Sequence, residues 1–225
     1  MDTPSSASGR RATGGDVLVS VMRRHGIDTA FGVVSIHNLP LVEAVARDLN
    51  FVEVRHEAAA VNAADGYARA SGRIGVALTS TGTGAGNAAG SMIEALTAGS
   101  RVLHVTGQIE SEYLTPEPAA SSRGVIHEFP RQRQMLDAVS RYAATITDAK
   151  DAEAELEAAI ARILSAPQGP ASVEWPTDLQ YLASPDEQRV AEARIAQPPA
   201  PNAAALDHAA AVLASAERPL LWLGG

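Results

Sequence analysis

The chain has 225 residues, a formal net charge of −8 and no cysteine. The negative charge argues against a duplex-binding protein, which needs a basic face, and the missing cysteines exclude disulfides, thiolate metal sites and cysteine nucleophiles. No apolar run approaches the roughly 20 residues that span a bilayer, and the first residues lack the apolar stretch of a secretory signal. We therefore expect a globular cytoplasmic protein with no nucleic-acid or membrane partner, preceded by a disordered tail over residues 1–13.

Helices and strands are predicted to alternate from Gly14 onwards. Apolar spacing, capping residues and helix-ending glycines mark the elements. In chain order they are a helix capped by Thr13 and closed by His25-Gly26, strand Thr29–Val34, helix Leu39–Leu49, strand Phe51–Val54, helix Glu57–Ala70 ending at Ser71-Gly72, strand Ile74–Thr79, a glycine-rich turn Ser80–Gly86, helix Asn87–Ala98, strand Val102–Thr106, a long loop Gly107–His127, helix Asp148–Leu164 and strand Pro170–Trp175. Because the connections are short, this order favours an α/β fold with a parallel sheet and helices on both faces.

The composition changes after the last of these strands. A polar, proline-containing stretch over residues 183–201 is typical of an interdomain linker. Helix Ala203–Ala216 and strand Pro219–Gly225 are predicted after it, and such a pair cannot form a core by itself. The pair either packs on the first domain, over residues 14–182, or begins a second, truncated domain over residues 202–225. We favour the second interpretation.

The first candidate site residue is Glu57, in the segment Arg55-His56-Glu57. It stands where a predicted strand ends and a helix begins, and ligands usually bind at this carboxyl edge of a parallel sheet. A carboxylate in the first turn of a helix is also favourable without any ligand, because it opposes the helix dipole. The segment alone leaves a catalytic and a purely structural role open.

A glycine-rich segment, Ser80–Asn87, reads Ser-Thr-Gly-Thr-Gly-Ala-Gly-Asn between a strand and a helix. Alternating glycines permit positive φ angles and a close approach of the backbone to a ligand. The pattern departs from the G-x-G-x-x-G fingerprint, and no Lys follows as in a P-loop. A nicotinamide-binding Rossmann domain is therefore rejected, and a tight turn without a ligand explains the glycines as well as phosphate binding does.

The remaining candidates are Gln108, His37 and His127, all at the predicted carboxyl edge of the sheet. An amide at a strand end can orient a ligand, but it is more often a turn or capping residue. A lone histidine in a loop is usually only solvated. No group of His, Asp and Glu shows the spacing of a metal site, so no metal ligand is expected in this chain.

Together and in this order, the motifs resemble the pyrimidine-binding domain of thiamine diphosphate (ThDP) enzymes. The branch they resemble most is that of acetolactate synthase, with benzoylformate decarboxylase and related 2-oxo-acid decarboxylases, over about Gly14 to Leu179. The residues that carry the resemblance are Phe31-Gly32 with Leu39-Pro40, Arg55-His56-Glu57, Asp65-Gly66-Tyr67-Ala68-Arg69, Gly82-x-Gly-x-x-Asn87, Gly107-Gln108 and the Val-Glu-Trp-Pro segment that precedes Asp178. In that family a Rossmann-like middle domain follows, and Pro219–Gly225 resembles its first strand.

The resemblance implies that Glu57 is the cofactor-activating glutamate. In the family, a carboxyl group that is hydrogen-bonded to the pyrimidine ring nitrogen favours the imino tautomer of the cofactor. The exocyclic imine then removes the thiazolium C2 proton, and the resulting C2 ylide attacks a 2-oxo acid. The Ala-rich helix that begins at Glu57 predicts a buried, apolar setting for this carboxyl. Gly82, Asn87, Gln108 and Val34 are implied to bind the cofactor, with the glycine-rich backbone close to the pyrimidine ring.

The resemblance places the rest of the cofactor site outside this chain. In the family, the diphosphate and its Mg²⁺ are held by a Gly-Asp-Gly…Asn motif of a C-terminal domain, and no such motif occurs here. The two domains meet across a dimer interface, so we expect a homo-oligomer, a dimer or tetramer, formed through the pyrimidine-binding domain. This chain alone is expected to hold half of a cofactor site and to be inactive. Binding of FAD to the middle domain is left open.

Several positions depart from the family pattern. The usual Phe-Gly-x-Pro-Gly loop reads Phe-Gly-Val-Val-Ser over residues 31–35, Ser80 stands where some decarboxylases carry a catalytic histidine, and His127 lies where acetolactate synthases show Phe-Gln-Glu. We therefore expect the N-terminal part of a ThDP-dependent lyase or transferase. It would be an acetolactate synthase-like 2-oxo-acid decarboxylase or carboligase, but not an orthodox acetolactate synthase. His37 and His127 are the candidate residues that face the substrate.

Two other functions stay open. One is a ThDP-dependent hydrolase on the same scaffold, and the other is a catalytically silent binding or assembly module. Glu57 argues against the silent module, since a degenerate site has no reason to keep a carboxyl group there. The substrate and the acceptor do not follow from the sequence.

Overall fold

The computed structural model describes residues 12–114, 123–182 and 200–222. Most of the predicted tail, most of the predicted linker and the end of the strand predicted at Pro219–Gly225 lie outside these residues. The division into domains therefore stays a prediction. Within the described ranges, no helix is both long enough and apolar enough to cross a membrane.

One parallel sheet forms the centre of the molecule. Its strands are β1 Thr29–Gly32, β2 Asn50–Glu53, β3 Gly75–Thr79, β4 Val102–Gln108, β5 Tyr142–Thr145 and β6 Ala171–Pro176. They pair in the order β2-β1-β3-β4-β6-β5, and every pair is parallel. Strands β3, β4 and β6 are buried at every position, as expected where helices cover both faces of a parallel sheet. The predicted α/β fold class is confirmed.

Helices connect the strands. In the described residues the α-helices are α1 Gly14–Arg24, α2 Leu39–Asp48, α3 Glu57–Ser71, α4 Thr83–Ala98, α5 Gln132–Ala138, α6 Ala152–Leu164, α7 Thr177–Gln180 and α8 Ala203–Ser215. The predicted cap at Thr13 is confirmed, because its backbone N–H donates a hydrogen bond to Asp16 Oδ2 at 2.7 Å. The predicted end of α3 is also confirmed by Gly72, which adopts the left-handed conformation with φ +72°.

Two cores lie on the two faces of the sheet. On one face, α1, α2 and α6 bury large side chains, among them Leu18, Met22, Leu41, Leu156 and Ile160. On the other face, α3 and α4 bury mainly small ones, among them Ala60, Ala64, Ala88 and Ala95 around Met92. A Cβ at Gly75 would lie 2.0 Å from Ala64 O, so α3 touches the backbone of β3. The starts of α3 and α4 lie at the carboxyl edge of the sheet, because each of these helices follows a parallel strand.

The predicted glycine-rich turn over Ser80–Gly86 is wrong in its extent, because α4 begins at Thr83 instead of Asn87. A single glycine, Gly82 with φ +59°, makes the turn before the helix. The later glycines are helical, although glycine costs a helix interior about 1 kcal/mol relative to Ala. A Cβ at Gly84 would lie 2.7 Å from a neighbouring side chain, so tertiary packing favours glycine here despite its low helix propensity.

The end of β4 also differs from the prediction. Gly107 and Gln108 lie within the strand and not after it, because both residues pair with β6, Gln108 with Pro176. Helix α5 and strand β5 were not predicted. Strand β5 has four residues at the edge of the sheet, which is too short for a clear hydrophobic pattern.

The C-terminal elements agree with the prediction in part. The helix predicted at Ala203–Ala216 is confirmed as α8, and it contains no buried residue. Residues 219–222 form no strand, so the strand predicted there is wrong for its described residues. A strand needs a hydrogen-bonded neighbour, and these residues pair with none of the described strands.

The Asp65–Arg69 motif has a structural role in this fold. Asp65 is buried, and its Oδ1 accepts a hydrogen bond from Arg69 Nε at 2.9 Å, one helical turn away. Arg69 Nε also lies 3.2 Å from Ser100 Oγ, just before β4. The motif therefore joins α3 to the central sheet.

His104 lies in the middle of β4 and is completely buried. Its Nε2 lies 2.8 Å from Thr79 Oγ1, and its Nδ1 lies 3.2 Å from Ser172 Oγ. Burial lowers the pKa of His104 from 6.5 to about 4, because a buried imidazolium loses its hydration. The ring is therefore neutral in the folded chain at neutral pH.

We expect the free energy of unfolding to decrease as the pH falls from 6.5 towards about 4, because only the unfolded chain then binds a proton at His104. Neutral His104 makes its full contribution to the free energy of unfolding above the pKa of 6.5 that it has in the unfolded chain. This contribution is roughly 3 kcal/mol at most. Urea unfolding of this chain across that pH range measures it. His104→Asn should have a weaker pH dependence than the wild type, and His208→Asn, on the exposed α8, is the matched control. Equal pH dependence of the wild type and His104→Asn would contradict the assignment.

Candidate functional site

Glu57 and Asn87 meet at the carboxyl edge of the sheet. Glu57 is the first residue of α3, and Asn87 lies in the second turn of α4. Asn87 Nδ2 donates a hydrogen bond to Glu57 Oε2 at 3.1 Å. Two residues that the sequence indicated separately are therefore in direct contact.

Gly84 allows the Glu57 carboxyl group to lie against the backbone of α4. A Cβ at Gly84 would lie 3.0 Å from Glu57 Oε1 and 2.7 Å from Ser80 Cβ. The carboxyl group thus occupies space that the side chain of a larger residue at position 84 would take. Glu57 is only half-buried and has a polar neighbour in Asn87, so the predicted buried, apolar setting is wrong for this chain.

A pair of serine hydroxyls lies beside this carboxyl group. Ser35 Oγ donates to Ser80 Oγ at 2.9 Å and accepts a hydrogen bond from His37 N at 3.2 Å. The fully buried Asn38 fixes the loop, since its Oδ1 accepts from Ser35 N and its Nδ2 donates to Val33 O, both at 2.9 Å. The loop after β1 is therefore held in one conformation at the site.

His37 and His127 also lie together, although they are far apart in the chain. Their ring centroids are 5.1 Å apart, with the planes tilted by 51°. His37 is buried, whereas His127 is exposed. Burial and, to a smaller degree, His127 lower the pKa of His37, while Glu110 acts in the opposite direction. The two predicted substrate candidates thus form one pair.

Gly82 allows the segment that carries His127 to approach α4. A Cβ at Gly82 would lie 2.2 Å from His127 O, and Gly82 N donates to Gln132 Oε1 at 2.8 Å. His127 has φ +61°, a conformation that is uncommon for a residue other than glycine and is often found at functional sites. The start of α4 therefore fixes one member of the histidine pair.

Gln108 belongs to a buried polar cluster around Glu174. Glu174 Oε2 accepts hydrogen bonds from Gln108 Nε2 at 3.1 Å and Gln132 Nε2 at 3.0 Å, and Glu174 Oε1 accepts one from Thr145 Oγ1 at 2.6 Å. Thr81 Oγ1 donates to Gln108 Oε1 at 3.2 Å. Burial raises the pKa of Glu174, and the three donated hydrogen bonds oppose that shift. The Gln108 amide therefore makes its hydrogen bonds inside the protein.

A cleft of about 540 Å³ opens beside this cluster, on the side of β5 and β6. Gln108 forms part of its lining, together with Phe129 and Arg133. The described residues that line it do not include Glu57 or Asn87. The cleft and the Glu57 carboxyl group are therefore neighbouring but separate features of this edge.

The structure thus joins Glu57 with Asn87, Gly82 with His127, and His127 with His37. Val34 is exposed on the loop after β1. The cofactor-binding roles of Gly82, Asn87, Gln108 and Val34 stay predictions. In the described ranges, no three His, Asp or Glu residues are placed to hold a metal ion together.

Two residues of this edge were missed as site residues. Ser35 could have been found, because a hydroxyl residue replaces the usual glycine of the loop after β1. Gln132 gave no signal, since its contacts with Gly82 and Glu174 join distant parts of the chain.

A match to one protein family identifies the chain. The family is described as thiamine pyrophosphate enzyme, N-terminal TPP binding domain, and it matches residues 12–135. The chain belongs to this family. The resemblance stated from the motifs is therefore confirmed, and the match includes Glu57, Asn87 and both histidines.

Relatives of this ThDP-family chain include synthases and decarboxylases. It is 31% identical over 233 residues to the acetolactate synthase large subunit of Parasynechococcus marenigrum, covering 100% of this chain and 36% of the relative. It is 30% identical over 214 residues to a probable 2-ketoarginine decarboxylase of Pseudomonas aeruginosa, covering 95% of this chain and 37% of the relative. The chain spans about a third of the length of these relatives. The predicted relation to acetolactate synthases and decarboxylases is confirmed.

Solved structures show the same fold. The ThDP-dependent 4-hydroxybenzoylformate decarboxylase of Rhodococcus jostii RHA1 superposes on this ThDP-family chain with a TM-score of 0.77 and 24% identity. The match covers 93% of this chain and 38% of that structure. At this identity the likeness establishes the fold and not the substrate.

Proposed function

We propose that this chain is the N-terminal part of an acetolactate synthase-like, ThDP-dependent 2-oxo-acid decarboxylase or carboligase. The observation that carries the proposal is the Glu57 carboxyl group, which accepts a hydrogen bond from Asn87 Nδ2 at 3.1 Å at the carboxyl edge of the sheet. This edge is where parallel sheets bind ligands. A half-buried carboxyl group that is held on one side and open on the other can exchange a proton with a bound ring.

The residues present fit the pyrimidine half of ThDP. A Cβ at Gly86 would meet nothing within 4 Å, so the surface of α4 near the Glu57–Asn87 pair is open. Backbone without side chains allows a flat ring to approach closely. We infer that Glu57 would hold the ring nitrogen and that the start of α4 would lie against the ring.

When bound, ThDP supplies a thiazolium that accepts the electrons released as a 2-oxo acid loses CO₂. The contribution of this chain is to hold and move a proton. Glu57 would share its proton with the ring nitrogen, and the Asn87 amide would fix the carboxyl group through Oε2. The exposed side of Glu57 leaves room for this contact.

The substrate is proposed to lie near the histidine pair. His37 and His127 are 5.1 Å apart between ring centroids, and the Ser35–Ser80 hydroxyl pair connects His37 to the Glu57 side of the edge. Hydroxyl and imidazole groups suit the carboxylate and ketone oxygens of a 2-oxo acid.

The remaining parts of the site are proposed to come from outside this chain. Mg²⁺ and the diphosphate would be bound by another region of the complete protein, and FAD is not part of the proposal. We further propose a homo-oligomer, a dimer or tetramer, formed through this domain. Exposed apolar side chains next to the site, Val34, Ile36 and Leu39, support such a contact. The cytoplasmic location stays a prediction.

The proposal is tested by CO₂ release from the complete enzyme, supplied with ThDP and Mg²⁺ and a panel of 2-oxo acids. We expect CO₂ release that depends on ThDP, with an aldehyde or a 2-hydroxyketone as the second product. The same protein without ThDP is the control. A ThDP-loaded enzyme that hydrolyses a substrate without releasing CO₂ would favour the hydrolase, and a protein that does not bind ThDP would favour the silent module.

A further inference from the structure

His37 has an unusual environment for a histidine beside a ligand site. The residue is 3% exposed, and its Nδ1 is buried without a hydrogen-bond partner among the described residues. Its backbone is fixed, because His37 N donates to Ser35 Oγ at 3.2 Å and His37 O accepts from Gln180 Nε2 at 2.8 Å. A Cβ at Gly107 would lie 2.9 Å from His37 Cβ, so the side chain also packs against the backbone of β4.

The buried Nδ1 determines where the ring carries its proton. A proton on Nδ1 would be a buried N–H donor without an acceptor, and such donors are rare and costly. The neutral ring therefore carries its proton on Nε2. A second proton on Nδ1 would add a buried charge as well as an unsatisfied donor. The charged or titratable groups that act on the ring are His127, which also lowers the pKa of His37, and Glu110, which raises it.

Two serine side chains lie between His37 and the Glu57 side of the sheet edge. His37 N donates a hydrogen bond to Ser35 Oγ, and Ser35 Oγ donates one to Ser80 Oγ at 2.9 Å. Ser80 Cβ and Glu57 Oε1 both border the position that a Cβ at Gly84 would take, at 2.7 and 3.0 Å. The imidazole is therefore at the same edge of the sheet as the carboxyl group.

We propose that His37 binds the substrate as a neutral Nε2–H hydrogen-bond donor to an oxygen of the 2-oxo acid and does not exchange its proton during the reaction. The identity of the substrate rests on the proposed function, whereas the tautomer and charge of His37 do not. A neutral hydrogen-bond donor is better than a cation for a reaction in which the substrate carboxylate leaves as CO₂. A cation here would stabilise the carboxylate of the bound substrate more than the transition state, in which that charge moves away.

The first test uses this chain without cofactor or substrate. In a sample with ¹⁵N-labelled histidine, long-range ¹H–¹⁵N correlations at neutral pH should show His37 as the neutral Nε2–H tautomer. Loss of these signals in His37→Gln assigns them, and the exposed His208 is the internal reference. An Nδ1–H tautomer, or an imidazolium at neutral pH, would overturn the proposal even if the complete enzyme proved to be a decarboxylase.

The second test uses the complete enzyme and the 2-oxo acid that releases CO₂ fastest. His37→Gln keeps a neutral N–H donor and should lower kcat/KM by about fivefold, whereas His37→Leu should lower it by about 100-fold. The pH profile of kcat/KM should keep the same ionisations in both variants. Equal losses in the two variants, together with a lost ionisation, would show that His37 transfers a proton and would overturn the proposal. If no 2-oxo acid is decarboxylated, the proposed function fails and the result of the first test still decides the state of His37.

Discussion

Replacing Glu57 by Gln is expected to slow exchange of the thiazolium C2 proton by about 10²- to 10⁴-fold in the complete, ThDP-loaded enzyme. Glutamine keeps the shape of the side chain and can still accept the hydrogen bond from Asn87. It cannot take up and return a proton at the pyrimidine nitrogen, so only the proton transfer is lost. Exchange is measured by mixing the enzyme with D₂O, quenching with acid and integrating the C2 proton signal of the cofactor by NMR.

A matched control is Glu53→Gln, which removes an exposed carboxylate at the end of β2. This variant should exchange the C2 proton at the wild-type rate. The amount of bound ThDP is measured in both variants, so that lost binding is distinguished from lost proton transfer. Wild-type exchange in Glu57→Gln with ThDP bound would refute the role proposed for Glu57.

The second large effect is expected for Gly82→Ala. Gly82 has φ +59° and ψ −109°, a conformation that side-chain-bearing residues adopt only under strain. The new Cβ would also lie 2.2 Å from His127 O. We expect the free energy of unfolding to decrease by about 4 kcal/mol, from backbone strain and overpacking together. Urea unfolding of this chain followed by circular dichroism measures the change.

Gly90→Ala is the matched control for this prediction, since Gly90 lies in the same helix and a Cβ there would meet nothing within 4 Å. Alanine should stabilise the chain by about 0.5–1 kcal/mol at this position, because it has the higher helix propensity. A Gly82→Ala variant that unfolds within about 1 kcal/mol of the wild type would show that the segment carrying His127 moves away easily. If Gly82→Ala does not fold at all while Gly90→Ala does, the expected strain is confirmed.

Much of the fold could be predicted because its signals are local. The capping residue Thr13 and the helix-ending Gly72 marked helix ends that the structure confirms. The alternation of short strands and helices was enough to predict a parallel sheet covered on both faces. Glu57 could be chosen as a candidate because a strand–helix junction lies at the ligand-binding edge of such a sheet.

The errors occurred where distant contacts decide the local structure. Helix α4 begins at Thr83 because Gly82 can adopt a positive φ where His127 O lies against it. The predicted turn assumed that every glycine marks a break, which is a reasonable expectation from propensity alone. Strand β4 continues to Gln108 because β6 pairs with it to the end.

The sequence by itself determined the α/β class, the ends of the capped helices and the place of Glu57 at the start of α3. Capping and hydrophobic spacing depend on residues a few positions apart, so they can be read without the fold. Only the tertiary structure brought His37 beside His127 and the Asn87 amide onto Glu57. These contacts join loops and helices that follow different strands, and their distances depend on how the whole core packs.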